Sequence, residues 1–236
     1  TLMASYALWF VLFQPNKKVA ILSKGDAEAT EVVSRIRLMY DELPVWLQPK
    51  TTKNNDHTLA LENGSSIQSK ASGKQSGRSL AASLLIIDEA AFIEYIDTIW
   101  AAVGPTTSTG GRVCVLSTVN GIGNWFHRMY SQAVEGSNGF HAIRIKWQQH
   151  PEYRRHEGYD WLYDQMRNYN PPINVDDWEN TTRRKHTFKE WLQEYESNFL
   201  GTGETYVDGE ILKSLKENCN KDYWIRYNNK MRIWED

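Results

Sequence analysis

Cysteine is nearly absent: Cys114 and Cys219 are the only two in 236 residues. They make no metal-binding spacing, and Cys114 lies in an apolar run, so both read as plain thiols of a reducing compartment. The six histidines, His57, His127, His141, His150, His156 and His186, form no ligand cluster either. A basic excess is also lacking. The net charge of -2 gives no broad electrostatic footprint for nucleic acid, so any DNA contact must be local or come from another part of the protein. There is no long hydrophobic run. The most membrane-like stretch, Leu2 to Phe13, has no basic segment before it and falls short of the roughly 18–20 residues a span needs. A buried helix ended by Pro15 is expected there instead. The chain has no internal repeat, no low-complexity tract and no initial Met, and its abrupt start is expected to reflect a missing N-terminal part. What is present, 41% hydrophobic and 24% charged residues, is the balance of a globular protein. The length suits one large domain, or one domain with an appendage.

The most informative stretch is Leu84-Leu85-Ile86-Ile87-Asp88-Glu89. Aliphatics without alternation suit a strand buried on both faces, as in a parallel sheet covered by helices. Polarity begins at Asp88 and Glu89, which places both at the C-terminal tip, where open α/β sheets bind ligands. In nucleoside triphosphatases this is the Walker B arrangement: the Asp holds Mg²⁺ and the next acid activates water. The plain alternative is a strand end with two solvated acids.

The rest of the chain supplies strand–helix units. Lys17–Ser23 reads as a strand, and Gly25-Asp26 opens a helix through about Tyr40, stopped by Leu43-Pro44. Leu59–Ser69 reads as a hairpin in which Asn63-Gly64 supplies two positive-φ positions. The glycine-rich loop Ala71–Ser79 carries Lys74 and Arg78, either of which suits a phosphate; a solvated linker is the alternative. A helix over Ile96–Val103, a loop from Gly104 to Gly111, a strand over Arg112–Thr118 and a helix over Trp125–Val134 follow. Two neighbouring strands would then present Asp88-Glu89 and Ser117-Thr118 side by side. Phe140–Trp147 alternates and reads as a further strand. Beyond it, helices are expected over Trp161–Tyr169, over Phe188–Phe199 and from Asp208-Gly209, with Arg183-Arg184-Lys185-His186 as a basic run and Tyr223–Asp236 as an aromatic-rich exit.

Several stretches together resemble the ATPase domain of the large terminase subunit of tailed bacteriophages. They are Leu43-Pro44-Val45-Trp46-Leu47-Gln48-Pro49, Asn63-Gly64-Ser65-Ser66-Ile67, Leu84 to Ile93, Ser117-Thr118-Val119-Asn120-Gly121, Trp147-Gln148-Gln149-His150-Pro151, and Glu194-Tyr195 through Phe199-Leu200-Gly201. The resemblance covers nearly the whole chain. It implies an α/β fold of the P-loop, ASCE type: a mostly parallel sheet flanked by helices, with a small, mainly helical C-terminal subdomain. The divisions implied are an ATPase core over 1–150, a helical subdomain over 151–222 and a linker over 223–236.

The resemblance also implies roles. Asp88, with Thr1, would hold Mg²⁺; Glu89 would be the base; Ser117, Thr118 and Asn120 would couple γ-phosphate state to movement. Arg78 would be an arginine finger toward a neighbouring subunit, or else a salt bridge within its own. The intact protein would hydrolyse ATP to drive double-stranded DNA into a capsid. It would work as a homo-oligomeric ring with a portal and a small terminase subunit, in the cytoplasm of an infected bacterium, and would also carry a nuclease. Two departures stand against this. No G-x-x-x-x-G-K-[ST] occurs, with Thr1 standing where its last hydroxyl residue or the next residue would fall, and no nuclease Asp cluster follows. The fragment alone is therefore expected to be inactive. A helicase-like translocase and a nucleotide-incompetent binding domain are the competing expectations.

Overall fold

Helix α1 (Leu2–Phe13) and strand β1 (Lys18–Ser23) are joined by a tight connection that depends on a distant turn. The turn follows β3 (Thr58–Leu61) and leads into β4 (Ser66–Ala71). Asn63 Nδ2 donates to the Val11 carbonyl at the end of α1 at 2.8 Å. Ser65 Oγ donates to the Gln14 carbonyl at 2.8 Å and accepts from the Lys17 N–H at 3.0 Å. Asn16 sits at φ +58, and a Cβ at Gly64, itself at φ +78, would collide with the Asn16 carboxamide. The Asn-Gly-Ser sequence is thus a staple across the α1–β1 corner. Only Gly64 of the expected pair has a positive φ. The Gly64 N–H donates to the Leu61 carbonyl at 3.1 Å and Leu61 N–H to the Ser65 carbonyl at 2.9 Å, a three-residue loop with glycine in the left-handed position rather than a two-residue one.

The computed structural model describes residues 1–74, 76, 82–108, 110–149, 179, 181–199, 225–227 and 231–233. By internal contacts the chain divides into residues 1–118 with 128–130, and residues 119–127 with 131–236. The first unit holds a six-stranded sheet in the order β2-β3-β4-β1-β5-β6, where β2 is Thr51–Asn55, β5 Leu84–Ile87 and β6 Arg112–Val115. β4, β1, β5 and β6 run parallel; β2 and β3 are antiparallel additions at one side. All four residues of β5 are buried, as the unbroken aliphatic run requires. α1 and α2 (Asp26–Asp41) pack on the sheet through Ala7, Val11, Ile36, Ile21, Ile67 and Ile86. α2 starts after Gly25, carries Asp26 and Glu28 in its first turn against the helix dipole, and is stopped before Pro44. After it, Tyr40 Oη donates to the Pro49 carbonyl and Gln48 Nε2 to the Tyr40 carbonyl, tying down Leu43–Pro49 while Trp46 remains 83% exposed.

Further expectations change, and β2 was not foreseen. α3 (Ile96–Ser108) runs through Gly104-Pro105 instead of ending at Val103. β6 stops at Val115, so Ser117 and Thr118 lie beyond its ladder. β2 carries only polar residues and gives no apolar pattern to read. Phe140–Lys146 is not a strand, and some of its backbone groups bond to side chains instead of a ladder. Ser197 Oγ donates to the Ile145 carbonyl at 3.2 Å and the Lys146 N–H to Gln149 Oε1 at 2.7 Å, while Ile143 and Ile145 stay exposed.

The second unit includes residues 125–127 and 131–134 of α4 (Trp125–Val134) and all of α5 (Phe188–Glu194). Trp191 is buried against Trp147 at 5.9 Å between ring centroids and stacks on Tyr195 at 4.6 Å. Arg183 of the basic run lies over the Trp191 ring at 5.0 Å. Glu196 accepts from Trp147 Nε1 at 2.9 Å, Gln148 Nε2 at 3.3 Å and Lys146 Nζ at 3.4 Å. Burial would raise its carboxyl, but these donors together hold it below the usual range. The Trp147 and Tyr195 landmarks, far apart in sequence, are therefore one cluster. α5 opens with a reciprocal Thr187–Glu190 cap and ends earlier than Phe199, because Ser197 turns left-handed at φ +50. A hairpin of β7 (Ile225–Tyr227) and β8 (Met231–Ile233) occupies the expected exit. The expected helices over Trp161–Tyr169 and from Asp208-Gly209 lie outside the described residues.

If the Asn-Gly-Ser staple holds the α1–β1 corner, Ser65→Ala strands a partly buried N–H and C=O and should destabilise by about 1–3 kcal/mol. Thermal unfolding should fall by roughly 2–4 °C per kcal/mol. An unchanged melting temperature would mean that the corner is held by packing alone.

Candidate functional site

The site forms where three parallel strands end at one level. Beyond β5, the Asp88 N–H donates to the Leu22 carbonyl of β1 at 2.7 Å. On the other side, Leu116 N–H donates to the Ile87 carbonyl at 2.9 Å, and Ala90 N–H to the Leu116 carbonyl at 3.1 Å. The chain then leaves the sheet abruptly. Glu89 takes a left-handed conformation, φ 53 and ψ 42, and starts a short 3₁₀ turn over Ala90–Phe92. For a residue with a Cβ such geometry is worth about 1–3 kcal/mol of strain, and it persists where surrounding bonds impose it. Ser117 is one of those bonds. Its Oγ accepts from the Ala91 N–H at 3.1 Å and donates to Glu89 Oε2 at 3.5 Å. Glu89 N–H in turn donates to Asp88 Oδ1 at 3.1 Å.

A cavity of about 220 Å³ lies beside Asp88, with Thr1, Arg35 and Asp88 as its polar walls and Ile21, Ile86 and Leu116 among its apolar ones. The first turn of α1 borders it through Thr1–Ala4. That helix end has N–H groups with no partner inside the helix and the positive end of its dipole. Burial pushes the Asp88 carboxyl above the ordinary range; the Glu89 N–H and the positive charges of Arg35 and Lys24 pull against it.

The structure therefore brings together Asp88, Glu89, Ser117 and Thr1 from three separate stretches. Thr118 is half-buried just past Ser117. Asn120 belongs to the second unit, where its carbonyl accepts from Asn124 Nδ2 at 2.6 Å; Asn124 also caps α4 by accepting from the His127 N–H at 2.8 Å. Lys74 is exposed, and Arg78 lies outside the described residues. Sequence reasoning passed over Arg35. On α2 it makes an i,i+4 pair with Glu31 at 2.8 Å and looks like ordinary helix-surface charge; nothing local signals that it also reaches the cavity.

The raised Asp88 carboxyl has a measurable consequence. A carboxyl whose folded-state pKa lies above its unfolded value adds stability in its protonated form, and that contribution is lost as pH rises through the folded pKa. Asp88→Asn, which never ionises, should therefore melt above the wild type near neutral pH. The gap should close as the pH approaches the ordinary Asp value of about 3.9. A gap of constant size across that range would rule out burial of the charge as its cause.

Comparison with known proteins places this geometry. The model of the family described as "Terminase large subunit, T4likevirus-type, N-terminal" matches residues 1–214. The Thermus phage P74-26 large terminase ATPase domain superposes with a TM-score of 0.54 at 19% identity, over 84% of this chain and 82% of that one. The large terminase of bacteriophage HK97 gives 0.56 at 14% identity, over 86% of this chain and 43% of that one. The large terminase of another thermophilic bacteriophage, solved in complex with ADP, gives 0.57 at 10% identity, over 83% and 44%. The chain thus spans most of an ATPase domain and less than half of the two large terminases. At these identities the superpositions establish the fold, a mostly parallel sheet flanked by helices, and the family match establishes the lineage. This chain belongs to the N-terminal family of the large terminase subunit, T4likevirus-type.

Proposed function

We propose that this chain is the ATPase motor domain of a viral DNA-packaging terminase, which hydrolyses ATP with Mg²⁺ to move double-stranded DNA into a capsid. The observation that carries the reading is the Asp88–Glu89–Ser117 constellation at the tip of parallel strands, beside a cavity bordered by a helix N-terminus. The family match and the relative solved with ADP support a nucleotide as the occupant.

The donor chemistry fits the metal. Mg²⁺ takes hard oxygens, keeps several waters and needs only one or two protein carboxylates beside substrate phosphates. Asp88 and the Thr1 hydroxyl are such oxygens on one cavity, and the cavity has room for waters between them. When bound, the ion neutralises charge on the phosphates. The chain's own residues do the rest. Glu89 accepts the proton of the attacking water, its carboxylate steadied by Ser117 and its backbone aimed by the left-handed turn. Ser117, hydrogen-bonded to that carboxylate, and Thr118 next to it in the chain respond when the γ-phosphate leaves, and Asn120 completes the coupling motif. Arg78 stabilises transition-state charge in a neighbouring subunit, an effect of roughly 10³–10⁵ in rate for known arginine fingers. The working assembly is a homo-oligomeric ring engaged with a portal and a small terminase subunit in the cytoplasm of the infected host. The domain divides as a core over 1–150, a helical subdomain over 151–222 and a linker over 223–236.

In the intact terminase subunit, Glu89→Gln should lower ATP turnover by on the order of 10²–10⁴ while leaving nucleotide affinity in place. Unchanged turnover would remove Glu89 as the base. For Arg78, mixing Arg78→Ala subunits with Glu89→Gln subunits should restore part of the turnover at shared interfaces. Absence of rescue would assign Arg78 to a contact within its own subunit.

A further inference from the structure

One polar group near Asp88 has no part in this mechanism. Ser23, the last residue of β1, is 1% exposed, and its Oγ has no hydrogen-bond partner among the described residues. A buried hydroxyl without a partner is destabilising, so native structures keep few of them.

The strand register says what lies next to it. β1 and β5 run parallel with Ile21 opposite Ile86 and Leu22 opposite Ile87, which sets Ser23 opposite Asp88. The Asp88 N–H bond to the Leu22 carbonyl shows that the pairing persists past the end of β5. Side chains alternate between faces along a strand. Ile21, Ile86 and Asp88 all line the same cavity, so Ser23, two residues after Ile21, shares their face. Neighbouring strands lie about 4.8 Å apart, which brings a hydroxyl and a carboxylate in adjacent positions within reach of each other. The link forms directly after a turn of the Ser23 χ1, or across one water.

We propose that Ser23 is a positioning residue of the Asp88 site: its hydroxyl donates, directly or through one water, to the Asp88 carboxylate. The Glu89 N–H already supplies one donor, to Oδ1 at 3.1 Å. A single donor leaves a carboxylate free to turn about χ2, whereas a second fixes its plane and directs the remaining lone pairs into the cavity. This is how partners behind a metal-binding carboxylate act. The value of that orientation rests on the proposed role of Asp88 in holding Mg²⁺; the contact between the two side chains does not. Ser69 provides the comparison. It sits opposite Ile21 on β4, is equally buried and also lacks a partner among the described residues, but it does not lie opposite Asp88.

A double-mutant cycle on the full 236-residue chain tests the contact. Ser23→Ala should lower the melting temperature by about 2–4 °C when residue 88 is Asp, and should not lower it in the Asp88→Ala background. Ser69→Ala should give the same shift in both backgrounds. If Ser23→Ala also shifts both backgrounds equally, or stabilises both as removal of an idle hydroxyl would, the proposal is overturned. Should Asp88→Ala fail to fold, amide exchange at Glu89 in Ser23→Ala alone decides the matter. Exchange should be roughly fivefold faster there, with the Leu22 amide unchanged, and unaltered protection at Glu89 overturns the proposal. Melting of the intact subunit with a non-hydrolysable ATP analogue, with and without MgCl₂, separates the two levels. Coupling without a Mg²⁺-dependent shift leaves Ser23 in its role and removes Asp88 as the metal ligand. A Mg²⁺ shift without coupling does the reverse.

Discussion

The parallel pairing of β1, β5 and β6 is the constraint on which the site depends. Its ladder bonds bring Leu22, Ile87 and Leu116 to one level, and Asp88, Glu89 and Ser117 are placed from that level. Asp88 is held by a backbone bond to β1, and Ala90 by one to Leu116, so the residue between them has little choice of conformation. Glu89 takes the left-handed region because both its neighbours are already pinned. A buried aliphatic strand that resists slipping makes this pinning reliable. A one-residue shift of β5 would turn its side chains to the opposite face and move the two acids off the edge together.

The helices act on the same edge from outside. α1 is anchored at its C-terminal end by the Asn63 and Ser65 staple, and its first turn is thereby carried to the cavity next to Asp88. A distant hairpin turn thus positions the helix end that borders the site. α2 contributes Arg35 and the packing face that buries the β1–β4 side of the sheet. The second unit has its own organising group. Glu196 gathers Trp147, Gln148 and Lys146 while its backbone N–H returns to the Trp191 carbonyl at 3.2 Å, so the indole cluster has both a polar and an apolar reason to form.

Within the sheet, a run such as Leu84–Ile87 has only one comfortable environment, and the acids after it mark the edge; both are local properties, legible from the residues alone. The extents of α1, α2 and α4 were legible for similar reasons, since apolar spacing and the prolines after α1 and α2 act over a few residues. Where the reading failed, the deciding partner was remote. Phe140–Lys146 alternates like a strand, but some of its backbone groups are taken by Ser197 and Gln149 side chains. β2 has no apolar alternation because its pairing with β3 holds it without a buried face.

Sequence by itself determined where the candidate site residues stand along the chain, because carboxylates after a buried strand and hydroxyls after the next one are local facts of composition and order. It also determined the lineage, through short landmarks spread along the chain. Tertiary structure alone decided which of these meet. Ser117 reaches Glu89 across 28 positions only because β5 and β6 are in register. Arg35, an unremarkable helix-surface cation, joins the cavity only because α2 packs beside α1. Ser23 stands beside Asp88 only because parallel pairing of β1 with β5 sets them at the same level. Register and packing are properties of pairs of elements far apart in the chain, and no window of sequence contains both members of such a pair.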